Sequence, residues 1–277
     1  MPKDNAKTVE LLGSVSPVAL VIVLGASTAM GKTTIADATT SFFQAANVAV
    51  HTVRIETGRR RAEFPVRDTF IDLDTIGDAA HAVGAEASLF DGVYRKIKAA
   101  IAGGHVVVID CGAGGQRLLL EVAGSTGLSG LVAAGSASCW VVVVTTPDPE
   151  SARQAAALVT DVNERMPEAE VLLAVNYATP TQRPGLDTPQ ARAFTAILES
   201  SRIPKIDIPF AGAQALAAFA KSQRTFLEIL RADEQQLMRW SGRGELSSLS
   251  AQTHLAAWWR SFTDQLSRVW RFDASNR

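Results

Sequence analysis

The chain has 277 residues, a formal net charge of −1 and 47% hydrophobic residues, enough apolar material for one sizeable core. Near-neutral charge argues against a protein that coats nucleic acid through overall electrostatics. The 2 cysteines, Cys111 and Cys139, and the 4 histidines, His51, His81, His105 and His254, show no metal-ligand or disulfide spacing, which fits a reducing cytoplasm.

Residues 1–16 read as a polar N-terminal tail without the apolar stretch of a signal peptide. Val18–Leu24, the longest apolar run, is a β-branched and aliphatic strand, far too short to span a bilayer, so a soluble protein is expected. A glycine loop follows, then an Ala/Thr-rich helix over 33–46 and a strand over 48–55. Residues 56–65 read as a polar loop, and 69–76 fit a short strand or a helix entry equally. A helix over 89–102 ends at Gly103–Gly104, and a strand over 105–110 leads to the glycine loop 111–116.

Residues 118–134 form one or two short helices broken by glycines, and 138–146 a further strand. Asp148 and Pro149 mark the start of a helix over 149–165, the aspartate as N-cap and the proline at the first position. Strands over 170–176 and 203–209 flank a helix over 188–200. Helices over 211–221 and 224–240 lead to a flexible segment, 241–248, and a last helix over 251–271. Strands alternating with helices predict βαβ crossovers: an α/β fold with a parallel twisted sheet, helices on both faces and extra C-terminal helices. We divide the chain into the tail 1–16, a nucleotide-binding domain 17–240, and a C-terminal amphipathic helix, 241–277, packed on the domain or a partner.

The loop after the first strand carries the chemistry. Ala26-Ser27-Thr28-Ala29-Met30-Gly31-Lys32-Thr33, followed by Thr34, matches the phosphate-loop pattern G-x-x-x-x-G-K-[ST], with alanine at the first glycine and Gly25 one place earlier. In such a loop successive backbone N–H groups curve around phosphates and a helix N-terminus adds partial positive charge. Gly31 lets the backbone approach closely, Lys32 reaches the β and γ phosphates, and Thr33 offers its hydroxyl to Mg²⁺. In "VVVIDCGAGG", Asp110 ends a buried strand before glycines, a carboxylate placed to hold the Mg²⁺ shell. ATP and Mg²⁺ are the expected ligands of this P-loop NTPase pattern.

The blocks "GKTTIAD", "VVIDCGAG" and "VVVVTTPDPES" make residues 18–219 resemble the ParA/MinD group of deviant-Walker ATPases. The variant loop is similar to the accessory branch serving plasmid stability and conjugative transfer. The resemblance implies a slow ATPase switch that dimerises on nucleotide and binds DNA or a DNA-bound partner. It implies that Asn176, Pro209 and Phe210 border the base. It places the family's signature lysine at Ser27, which removes a cation; Arg59, Arg60 and Arg61 are candidates to replace it. The family's water-orienting aspartate falls near Glu56, with Asp72 and Asp74 as alternatives in "FIDLD".

Two other readings stand beside the switch. One is an ATP-dependent ligase of the dethiobiotin-synthetase type, whose loop Gly25, Thr28, Gly31, Lys32 and Thr33 nearly match; the other is a nucleotide-gated adaptor that does not hydrolyse. DNA contacts, if made, fall to Arg59–Arg61, Arg224, Arg231, Arg239 and Arg243, as salt-sensitive phosphate contacts. Leu255, Trp258, Trp259, Phe262, Leu266, Val269 and Trp270 form an apolar stripe at helical spacing. Internal or partner packing is the expected use of this stripe, and membrane-surface binding through 251–271 the alternative.

Overall fold

The computed structural model describes residues 17–25, 30–63, 69–74, 85–177, 179, 188–199, 203–220 and 222–270. The expected tail 1–16 lies outside them. Seven strands form one sheet: β1 (Val18–Leu24), β2 (Val50–Glu56), β3 (Thr69–Asp72), β4 (Val106–Cys111), β5 (Ser138–Thr145), β6 (Glu170–Asn176) and β7 (Lys205–Ile208). Their order is β3-β2-β4-β1-β5-β6-β7, and every neighbouring pair is parallel.

The unbroken β-branched runs arise because both sheet faces are covered. Leu20, Ile22 and Leu24 pack into one core with α2 (Ala85–Gly103), α3 (Gln116–Thr126), α4 (Leu128–Ala134), α5 (Pro149–Arg165) and α6 (Pro189–Glu199). Val21 and Val23 face the other core, with α1 (Lys32–Ala45), α7 (Ala213–Phe219), α8 (Phe226–Arg231), α9 (Glu234–Ser241) and α10 (Glu245–Trp270). Asp148 caps α5 by accepting from the N–H groups of Glu150 and Ser151, with Pro149 in the first turn.

Several boundaries differ from the sequence reading. The polar segment after β2 is a 3-10 helix, Gly58–Glu63, and β2 itself runs through Glu56. The ambiguous stretch at 69–76 begins as an edge strand, because Val53 to Glu56 offer it a parallel partner. Gly124 and Gly130 do not break α3 and α4; only Gly127, at φ 60°, separates them. The helix expected over 224–240 is two, since Asp233 forms a capping box with Gln236 and restarts the chain. The segment expected to be flexible, 241–248, is largely helical: Gly242 ends α9 at φ 64° and α10 already starts at Glu245.

Candidate nucleotide-binding site

The C-terminal end of β1 lies where the strand order reverses, with β4 on one side and β5 on the other. In parallel α/β sheets such a crevice receives ligands. Ser27, Thr28 and Ala29 of the phosphate loop lie outside the described residues. The loop's two limbs are described, and each is held by a side-chain amide. Gly25 N–H donates to Gln116 Oε1 at 2.8 Å, and Gln116 Nε2 donates back to the Gly25 carbonyl at 2.7 Å. Asn176, at the end of β6, donates to the Met30 carbonyl at 2.9 Å.

Gly31 adopts φ 86°, and a Cβ there would sit 2.6 Å from Asn176 Nδ2. Both the backbone conformation and the close approach exclude a side chain. α1 then starts at Lys32 without a side-chain cap, so its first N–H groups face the crevice as an anion-receptive helix end. Thr33 and Thr34 in this first turn are half-buried.

Lys32 is only 8% exposed and packs its stem along Gly25. Burial lowers its proton affinity, Asp110, Cys111 and Glu56 partly offset that, and Arg60 lowers it further. Asp110, the last residue but one of β4, lies in parallel register with Arg54 of β2. Arg54 Nη1 donates to Asp110 Oδ2 at 2.7 Å, and Arg54 also bonds Asp37 on α1. Arg54 is 1% exposed, among the largest fully buried side chains of the protein. The carboxylate expected to face a metal is therefore already ion-paired through one oxygen. Asp110 Oδ1 has no hydrogen bond among the described residues.

Glu56 ends β2 with its side chain 17% exposed. Its Oε2 accepts from Arg60 Nη1 at 2.7 Å and its Oε1 from the Thr57 N–H at 3.1 Å. The carboxylate lies against Gly112, where a Cβ would come within 2.7 Å of Oε2. Glu56, Lys32 and Asp110 thus meet at one mouth of the sheet. Asp72 and Asp74 instead brace the turn after β2: Asp74 accepts from the Gly58 N–H and Asp72 from the Asp74 N–H. Of the three arginines, Arg59 and Arg61 are exposed, Arg61 lies over the Phe70 ring at 5.3 Å, and Arg60 turns inward to Glu56.

On the other side of the loop a cavity of about 310 Å³ is lined by Gly31, Thr34, Asn176, Pro209, Phe210 and Trp258, among others. Trp258 comes from α10, and its indole N–H donates to the Pro209 carbonyl at 2.9 Å. The residues expected at the base therefore share one cavity with the loop's C-terminal limb.

Four contributors were missed in sequence. Arg54 carried a faint signal, a charge inside the strand "VHTVRIE" beside the strand that carries Asp110. Gln116 closes the glycine loop 111–116. Asp37 and Trp258 carried none, since their roles exist only after packing.

No family profile and no curated protein matches the sequence. Solved structures do match by fold. A chain of the MinC:MinD cell division protein complex of Aquifex aeolicus superposes with a TM-score of 0.50 at 13% identity, covering 87% of this chain and 96% of that chain. The MinD cell division protein of Aquifex aeolicus gives a TM-score of 0.45 at 14% identity, over 87% of this chain and 97% of that chain. A ParA family ATPase from Chlorobium tepidum TLS gives 0.44 at 16% identity, over 90% and 97%. The first of these superpositions, with the seven-stranded parallel sheet and its two helical layers, shows that the fold of this chain resembles the P-loop NTPase fold of MinD.

Proposed function

We propose that this protein is an ATP-operated switch that hydrolyses ATP slowly. One observation carries the reading: Lys32, buried at an uncapped helix N-terminus behind a left-handed glycine, stands beside the carboxylates of Asp110 and Glu56. Burial disfavours the charge on Lys32 and the neighbouring carboxylates offset that only in part, so a bound anion stabilises it further. The loop amides, the helix end and Lys32 suit the phosphates, and the cavity at Asn176, Pro209 and Phe210 suits the base.

The oxygen donors fit Mg²⁺. Thr33 offers a hydroxyl and Asp110 a carboxylate oxygen that Arg54 leaves open, hard ligands for a cation that keeps much of its water and binds phosphate oxygens. When bound, Mg²⁺ supplies charge neutralisation at the phosphates. Glu56 accepts a proton from water as its oxygen attacks the terminal phosphorus; the bond to the bridging oxygen breaks and ADP leaves with the electron pair. Lys32 neutralises the developing charge.

Dimerisation on ATP, and a role in DNA partition or conjugative transfer, are the finer parts of the proposal. The resemblance of the motif blocks supports them. Of the arginines considered for DNA, Arg59, Arg61, Arg231 and Arg239 are exposed, and Arg224, exposed as well, pairs with Glu228 and covers the Trp240 ring. Salt-dependent binding of duplex DNA in ATP but not ADP is the expected outcome.

The deciding experiment is calorimetric binding of ATP and GTP to the wild type and to Lys32→Ala, followed by sizing with and without nucleotide. We expect Mg-dependent ATP binding that Lys32→Ala abolishes while its melting curve survives, and a mass increase in ATP. Wild-type protein that binds no nucleotide overturns the reading. Phosphate release distinguishes the switch from a non-hydrolysing adaptor.

A further inference from the structure

Resting on the nucleotide reading, we propose that the Glu56–Arg60 ion pair is a latch that the terminal phosphate of ATP opens. Arg60 leaves Glu56 for that phosphate, and Glu56, once released, holds the attacking water.

The charges at the mouth of the sheet lead to this. A triphosphate carries more negative charge than one lysine and one divalent cation neutralise, so a further cation is wanted. Arg54 does not serve, because it is locked between Asp110 and Asp37 and is 1% exposed. Arg60 is different. Its side chain is 44% exposed, it rises from the 3-10 helix Gly58–Glu63, and it meets the carboxylate of Glu56 at 2.7 Å. Its charge also reaches Lys32, whose proton it disfavours. Lys32 at the helix N-terminus and Arg60 on Glu56 together suit an anion, and in the ligand-free protein the Glu56 carboxylate takes that part.

The same geometry explains why the latch has a consequence. While Arg60 holds Oε2, and the Thr57 N–H holds Oε1, Glu56 is engaged through both oxygens. A carboxylate so occupied is a poor acceptor for a water proton. Its contact with Gly112 adds a second outlet: release of Glu56 changes what the loop after Asp110 packs against. An ADP-bound site lacks the phosphate that draws Arg60 away, so the latch stays closed.

The test is calorimetry of the full chain with ATP and with ADP, in magnesium, for wild type, Arg60→Ala, Arg60→Lys and Glu56→Gln, with phosphate release measured in parallel. Arg60→Ala is expected to weaken ATP about tenfold or more and leave ADP unchanged, as loss of a charge-assisted contact would. Arg60→Lys is expected to recover part of the ATP affinity. Glu56→Gln is expected to strengthen ATP binding, because Arg60 no longer leaves an anion, while phosphate release is lost. The two substitutions therefore move ATP affinity in opposite directions. A pair that only braces the fold predicts the same direction for both, with ATP and ADP affected alike; that result overturns the latch and leaves the nucleotide reading standing. A wild type that binds neither nucleotide overturns the nucleotide reading itself.

Discussion

Arg54 shows how much one buried charge depends on its partners. It joins β2, β4 and α1 through Asp110 and Asp37, whose side chains are 6% and 34% exposed. Replacing it with methionine strands Asp110 as an uncompensated buried charge, and we expect Arg54→Met to lose about 3–5 kcal/mol in urea unfolding. Combining it with Asp110→Leu is expected to recover most of that loss, because the orphaned charge goes too; Asp37, partly exposed, stays solvated. Lys32 gives a pH signature. Burial, above all, lowers its folded-state pKa below the ordinary lysine value of 10.5. Between the lowered value and 10.5 the unfolded chain binds more protons, so ligand-free stability contributed by this group rises with pH across that window. Measured against Lys32→Met, the wild type is expected to gain relative stability as pH rises through it; a flat difference counts against a buried lysine.

At the scale of elements, α10 decides the second core. Its 26 residues make a rod about 39 Å long. Ser248, Ala251, Leu255, Trp258, Trp259, Phe262, Leu266 and Trp270 are the residues it buries. At its last turn Trp270 stacks on Phe43 at 5.2 Å and meets Phe42 and Trp140 at 5.7 and 6.2 Å. One turn and more before, Gln265 exchanges two hydrogen bonds with the Asp207 backbone, at 2.8 and 2.7 Å, and so covers the edge of β7. Trp270→Ala is expected to cost about 3–5 kcal/mol, as large-to-small core changes do. Trp270→Phe should cost less, since the indole N–H has no hydrogen bond among the described residues. Urea midpoints of the two variants give the comparison.

Across the whole molecule, the helix that the sequence left open to three uses is folded onto its own sheet, with Trp258 4% and Phe262 0% exposed. It also walls the cavity next to the phosphate loop through Trp258. No helix among the described residues is long and apolar enough to cross a membrane. The full chain is expected not to sediment with anionic vesicles, because the stripe that would enter the lipid is already buried; co-sedimentation would show that α10 leaves the core.

The parallel sheet and the placement of its loop were legible because they are written locally. β-branched runs make doubly covered strands, Asp148–Pro149 starts a helix, and Gly31 before Lys32 makes the left-handed entry to α1. Boundaries failed where capping competed with periodicity, as at Asp233 and Gly242. The ion pair on Asp110, the Gln116 clamp on Gly25 and the tryptophan wall join residues 56, 91 and 49 positions apart. Such contacts depend on strand order and register, on which face a side chain meets, and on what packs above it. Local periodicity and turn chemistry carry no record of those, so only the folded chain decided them.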